Sequence, residues 1–175
     1  MRTLTVKKNG GGGAFNSGWN QAKIIKAEYD SWNDKKVLDI WFEGFPETLN
    51  MRVYEAVNAD GEEFAIGQIF RFANAGIIEG LESDDGNVVI KMSDEASELE
   101  GKYLNIYLYK DGKYFRVLSS AAPTSFENAV DKFSEEDVTF WKGKALAFFS
   151  KYVEPKIDST GGSAIPEEQQ QEMPY

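Results

Sequence analysis

"NADGEEFAIGQIFRFANAGI", residues 58–77, sets a helical period between two blocks of strand-like sequence. Ile66, Ile69, Phe70, Ala73 and Ile77 recur at helical spacing, which gives one apolar face. Asp60 followed by Glu63 has the form of a capping box, and Gly76 is placed to end the helix. Together these predict about four helical turns. Where this helix falls in the order of elements decides the fold class.

Upstream of it, "WNQAKIIKAEYD" (19–30) reads as a strand with loose alternation and "KKVLDIWFEG" (35–44) as a second. The intervening "SWND" carries turn residues, with Trp32 expected at the tip. "TLNMRVYEAVN" (48–58) has period two: Leu49, Met51 and Val53 on one side, Asn50, Arg52 and Tyr54 on the other. Downstream lies an acidic stretch in which Asp85-Gly86 marks a turn and "NVVIKM" could form a short strand. Two further strands, 102–110 and 113–118, meet at Asp111-Gly112, a strong hairpin signal. A helix between the third and fourth of five strands is the arrangement of the OB-fold. The expected class is therefore mainly β with helices, α+β, with an OB-like five-stranded barrel; a β-sandwich with an added helix is the alternative.

Beyond residue 118, "FENAVDKF" and "SEEDVTFWKGKALAFFSKYV" read as helices, the second with a cap at Ser134. Their stripe of Trp141, Ala145, Phe148, Phe149 and Tyr152 is expected to pack on the outside of the barrel, with self-association as a second use. Residues 1–16, with four consecutive glycines, read as a flexible arm, 17–153 as the folded domain, and 154–175 as a flexible acidic tail. The arm lacks the Gly-Lys-Ser/Thr of a phosphate-cradling loop.

The chain contains neither cysteine nor histidine. Disulfides, thiolate metal sites, the commonest neutral-pH base and every Ser-His or Cys-His arrangement are thereby excluded, so no enzymatic activity and no cofactor are expected. Asp84, Asp85, Asp94, Glu95, Glu98 and Glu100 lack the spacing of a calcium loop and read as a solvated surface rather than a metal site. With no apolar run long enough to span a membrane, the expected location is the cytoplasm. The net charge of −10 argues at first against a nucleic-acid partner. However, residues 79–100 carry −7 and residues 158–175 carry −4, which leaves +1 for the remainder. A local positive face is therefore compatible with the acidity of the whole.

Strand period assigns Leu38, Ile40, Phe42, Leu104, Ile106, Leu108, Phe115 and Val117 to the interior. The opposite sides hold Trp41, Arg52, Tyr54, Tyr103, Tyr107, Tyr109, Tyr114 and Arg116, with Lys35, Lys36 and Lys113 at strand ends and Trp32 at a loop. Rings that stack on bases, interleaved with cations that hold phosphates, suit single-stranded nucleic acid. The same rings could instead pack under the C-terminal helices, form a protein interface in an assembly protein, or stack on sugars.

The terminus "PEEQQQEMPY" resembles the tail of bacterial-type and phage-type single-stranded-DNA-binding proteins, in which an acidic tip closes in an apolar-Pro-Phe sequence. Glutamines here replace most of the aspartates of that family, and Tyr175 replaces its phenylalanine. "GWNQAKIIKAEYD", "KVLDIWFEGFPETLNMRVYEAVNADGEEF" and "FRFANAGI" are similar to small phage proteins of the single-strand-binding type and to neighbours of recombination genes. The resemblance implies an OB-fold that binds single-stranded DNA in replication or recombination. It also implies docking of partner proteins of those processes through Met173, Pro174 and Tyr175.

Overall fold

The computed structural model describes residues 1–4 and 16–160. The Gly-rich part of the expected arm and the last part of the tail, including Met173, Pro174 and Tyr175, lie outside the described residues. Three strands open the fold: β1 Gly18–Trp32, β2 Lys35–Phe42 and β3 Met51–Tyr54. Helix α1, Ala65–Phe72, precedes a hairpin of β4 Ile77–Glu82 and β5 Val88–Met92. A 3-10 turn, Ala96–Leu99, leads to β6 Tyr103–Asp111 and β7 Tyr114–Val117. A short hairpin of β8 Phe126–Glu127 and β9 Lys132–Phe133 precedes α2 Glu135–Phe148, a π-helical turn Phe149–Val153 and α3 Glu154–Thr160.

The main sheet is antiparallel, in the order β3-β2-β1-β6-β7. β1 runs through its centre, pairing with β6 over Gly18–Lys23 and with β2 over Ile24–Trp32. At the crossover Ile24 faces Phe42 and Lys26 faces Trp41, so Ile25 is an extra residue. This bulge bends the strand and reverses which parity points inward. Ala22 and Ile24 are buried before it, Ala27 and Tyr29 pack on the core after it, and Ile25 is turned to solvent. The loose alternation of residues 19–30 is the trace of that bulge. The expected closed barrel is not formed among the described residues: β3 and β7 are both edges of an open sheet.

Leu38, Ile40 and Phe42 of β2, Met51 and Val53 of β3, and Leu104, Ile106 and Leu108 of β6 share one core with Ile66, Ile69 and Phe70 of α1. Each such side chain removed from water contributes about 1.5–3 kcal/mol, so the two halves of the sheet are held chiefly by this apolar interior. Helix α1 is shorter than its apolar period suggests. Asp60 does not cap it; the Glu63 carboxylate accepts from the backbone N–H of Ile66 and Gly67 at 2.9 and 3.1 Å. Its end is a Schellman motif at Asn74, φ 56°, in which the Ala75 N–H reaches the Phe70 carbonyl and the Asn74 N–H that of Arg71. Gly76 serves a different purpose. Its φ is +66°, and a Cβ there would lie 2.1 Å from the Ser93 carbonyl oxygen, which fixes where the β4–β5 hairpin leaves the helix.

Four further expectations are corrected. Trp32 is the last rung of β1, opposite Lys35, and the turn itself is Asn33-Asp34, both at positive φ. Residues 77–92, expected to be irregular apart from one short strand, form a two-stranded hairpin around the anticipated Asp85-Gly86 turn. "FENAVDKF" is the β8–β9 hairpin rather than a helix, because the Asn128 side chain accepts from the N–H of Val130 and Asp131 at 2.7 and 2.6 Å. Such an Asx bond offers the backbone an alternative to the helix. Arg71 of α1 pins the same turn through both oxygens of Asp131 at 3.1 Å. Finally, residues 154–160 are helical, not part of a loose tail.

The expected cap at Ser134 is present as a full capping box with Asp137, whose carboxyl is held below the usual range by hydrogen bonds from the Ser134 backbone and hydroxyl. Replacing Ser134 with alanine is expected to lower the unfolding free energy by about 1 kcal/mol. Urea denaturation of the two proteins measures the difference.

Candidate nucleic-acid interface

The register sorts the candidate side chains onto two surfaces and a seam. On the half-sheet β1-β2-β3, the side away from the core carries Lys26, Glu28, Asp30 and Trp32 of β1, Lys35, Asp39 and Trp41 of β2, and Arg52 and Tyr54 of β3. Trp32 and Tyr54 meet edge to face at 6.2 Å at one end. Trp41 lies at the other end, with the Lys26 ammonium 4.7 Å from its ring centre and its Nε1–H donating to the Glu47 carbonyl at 3.1 Å. One face of that indole is thus taken by Lys26.

Between the two rings, Arg52 donates from Nε and Nη2 to the two oxygens of Asp39 at 2.7 and 2.9 Å, and approaches Asp30 at 3.7 Å. Asp39 is nearly buried, and its hydrogen bond raises the Arg52 guanidinium above its ordinary range against the opposing effect of burial. This surface therefore holds three bases and three acids. Its rings, more than its charge, distinguish it. Tyr54 was expected to be open but is only 4% exposed, at the base of the surface behind Trp32, whereas Trp32 is 36% exposed.

The other half-sheet, β1-β6-β7, presents Trp19, Tyr107, Tyr109, Arg116 and Tyr114 on its outer side. The expectation of an open aromatic face fails here. Phe149 lies 5.2 Å from both Tyr107 and Tyr109, and these rings join Ala145, Phe148 and Val153 in a second apolar cluster. Burial pushes the Tyr109 phenol well above its ordinary range, with Arg116 opposing and Asp111 reinforcing the shift. Asn105, on the same side, is buried and donates to the Pro123 carbonyl at 2.9 Å. Tyr103 remains open at the start of β6.

Lys36 is separated from Lys35 by strand alternation; its ammonium lies 4.9 Å from the Tyr29 ring centre, on the side opposite Trp32. Lys113, Tyr114 and Arg116 lie at the edge formed by β7 and line a cleft against the loop that precedes β3. Of the expected residues, the register brings Trp32, Lys35, Trp41 and Arg52 to this one side, and sequence reading missed Lys26 because the bulge at Ile25 changes its side. It also missed the loop wall at Pro46 and Thr48, for which only tertiary placement supplies a signal.

No group of three or more Asp and Glu residues is positioned to hold a metal ion among the described residues, and no helix is long and apolar enough to cross a membrane. No family model, curated protein or solved structure matches the chain.

Proposed function

We propose that this protein is a non-catalytic single-stranded-DNA-binding protein with an OB-like fold, acting in replication or recombination. The observation that carries the reading is the outer surface of β1-β2-β3, where Trp32 and Trp41 flank Arg52 with Lys26 and Lys35 beside them. The second apolar cluster, formed with the C-terminal helix, does not include these residues. Strand order supports the same reading, since bringing β3 to β7 would close this sheet into a five-stranded barrel with α1 after its third strand. Bases stack on Trp32 and on the face of Trp41 opposite Lys26, each contact contributing about 1–3 kcal/mol. Lys26, Lys35 and Arg52 contact phosphates.

Oligo-dT titrated against the full-length protein is expected to quench tryptophan fluorescence, with duplex of equal length binding far more weakly. Up to three phosphate contacts give a modest salt slope, a loss on the order of tenfold between about 50 and about 200 mM salt. Trp41→Ala is expected to weaken binding by about fivefold or more. The equal number of acids and bases on this surface favours one second reading, an oligosaccharide-binding face on which the same rings stack on sugars. Glycan binding indifferent to salt, with no oligo-dT binding at low salt, would replace the first reading by the second.

A further inference from the structure

The loop before β3 faces the β7 edge of the main sheet across a cleft of about 360 Å³, walled by Pro46, Thr48 and Leu49 on one side and Lys113, Tyr114, Phe115 and Arg116 on the other. That volume is near the lower end for small-ligand sites and suits a ligand about the size of one nucleotide. In a chain of net charge −10 the lining contains two cations and no carboxylate, and the intervening Glu47 is not part of it.

Three of the lining groups have unused binding capacity. Lys113 makes no ion pair among the described residues, and Tyr114 is 63% exposed. Among the described residues Arg116 commits only Nε, donating to Oδ2 of the fully buried Asp111 at 2.9 Å. That pairing offsets part of the arginine charge and makes Lys113 the stronger partner for an anion. Buried Leu49, with Pro46, supplies an apolar wall against which a flat ring can lie. The loop wall is itself tied to β2, because Glu47, between Pro46 and Thr48, accepts the indole N–H of Trp41.

From this combination we infer that the seam is a nucleotide site: a phosphate held by Lys113 and Arg116 with its base against Tyr114. The ligand is a phosphate attached to a flat ring, whether a free nucleoside monophosphate or one nucleotide of a strand. The site is separate from the β1-β2-β3 surface and stands or falls independently of strand binding there. Occupancy links β7 to the loop before β3 and so braces the open sheet.

Backbone amide NMR of the full-length protein, titrated with dTMP, thymidine, inorganic phosphate and 5′-phosphorylated oligo-dT, tests the inference. Saturable shifts are expected at Thr48, Lys113 and Tyr114 with dTMP, and binding about tenfold weaker for thymidine or phosphate alone. Lys113→Glu is expected to weaken the response by about tenfold and Tyr114→Ala by about fivefold. Both residues are exposed, so the folded spectrum should persist; Arg116 is left intact because its loss would strand buried Asp111. Lys113→Ala serves if the charge reversal perturbs the spectrum. Response of these amides to oligo-dT but not dTMP identifies the source as a strand, and response to dTMP alone identifies a free nucleotide. Response to neither, or an undiminished response in the Lys113 variants, overturns the inference. Quenching of Trp32 and Trp41 by oligo-dT without cleft shifts removes the cleft alone, whereas cleft shifts without quenching remove the strand-binding surface alone.

Discussion

Replacing Phe149 with alanine is expected to lower the unfolding free energy by about 3–5 kcal/mol, the range for truncating a buried phenylalanine. The ring is 8% exposed and touches Tyr107 and Tyr109 at once, so its removal opens the seam between the C-terminal helix and the β1-β6-β7 half-sheet. Phe149→Leu retains much of the volume and should cost less than half as much. Urea denaturation gives both values.

An alkaline titration reports the same contact independently. Burial raises the Tyr109 phenol, and it raises Tyr29 to about 12, with Asp94 and Glu63 adding to the shift. The folded chain therefore retains protons that the unfolded chain releases near pH ~10. The resulting stabilisation is complete below about pH 10 and is lost as pH rises through the folded values. In Phe149→Ala the Tyr109 step should move down toward about 10 while the Tyr29 step stays in place, read by tyrosinate absorbance. An unchanged late step would mean that the helix does not seal Tyr109.

Arg52→Ala is expected to destabilise by about 2–3 kcal/mol. Breaking a fully buried ion pair costs about 3–5 kcal/mol, and the one-third exposure of the Arg52 side chain reduces that figure. Most of the loss comes from Asp39, left 5% exposed without its bidentate partner. Asp39→Ala placed on top of Arg52→Ala should therefore recover a substantial part of the loss, a coupling that a double-mutant cycle measures. Under the proposed function, oligo-dT affinity should remain low in the double variant, since the arginine assigned to phosphate there is still missing. Recovery of both stability and affinity would mean that Arg52 acts only as a counter-ion.

Much of the fold was legible because its signals are local. Strict alternation in residues 38–42 and 104–108 identified the core sides of β2 and β6, and both are buried as read. The Ser134 cap is a four-residue signal and appears where expected. Alternation put Trp41 and Arg52 on the outward sides of β2 and β3, and the register brings them to one surface, where Trp32 and Lys35, expected at a loop and a strand end, join them. Local signals misled where a single side chain redirects the backbone. Asn128 turns an apparent helix into a hairpin, and Asn74 ends α1 before Gly76.

What the amino-acid sequence by itself determined was the mixed α+β class, the order of the sheet strands around one helix, and which side of β2, β3 and β6 is core, because strand period and turn chemistry act over a few neighbouring residues. Whether an outward aromatic stays open was decided only in three dimensions. Tyr107 and Tyr109 have the same local pattern as an exposed stacking row, yet Phe149, some forty positions later, covers them. The open seam arises in the same way: Lys113, Tyr114 and Arg116 meet Pro46 and Thr48 because the bent β1 carries the two half-sheets around the core and brings the loop before β3 to the β7 edge. Contacts between segments so far apart in the chain depend on how the bend directs the sheet, and no short stretch of residues encodes them.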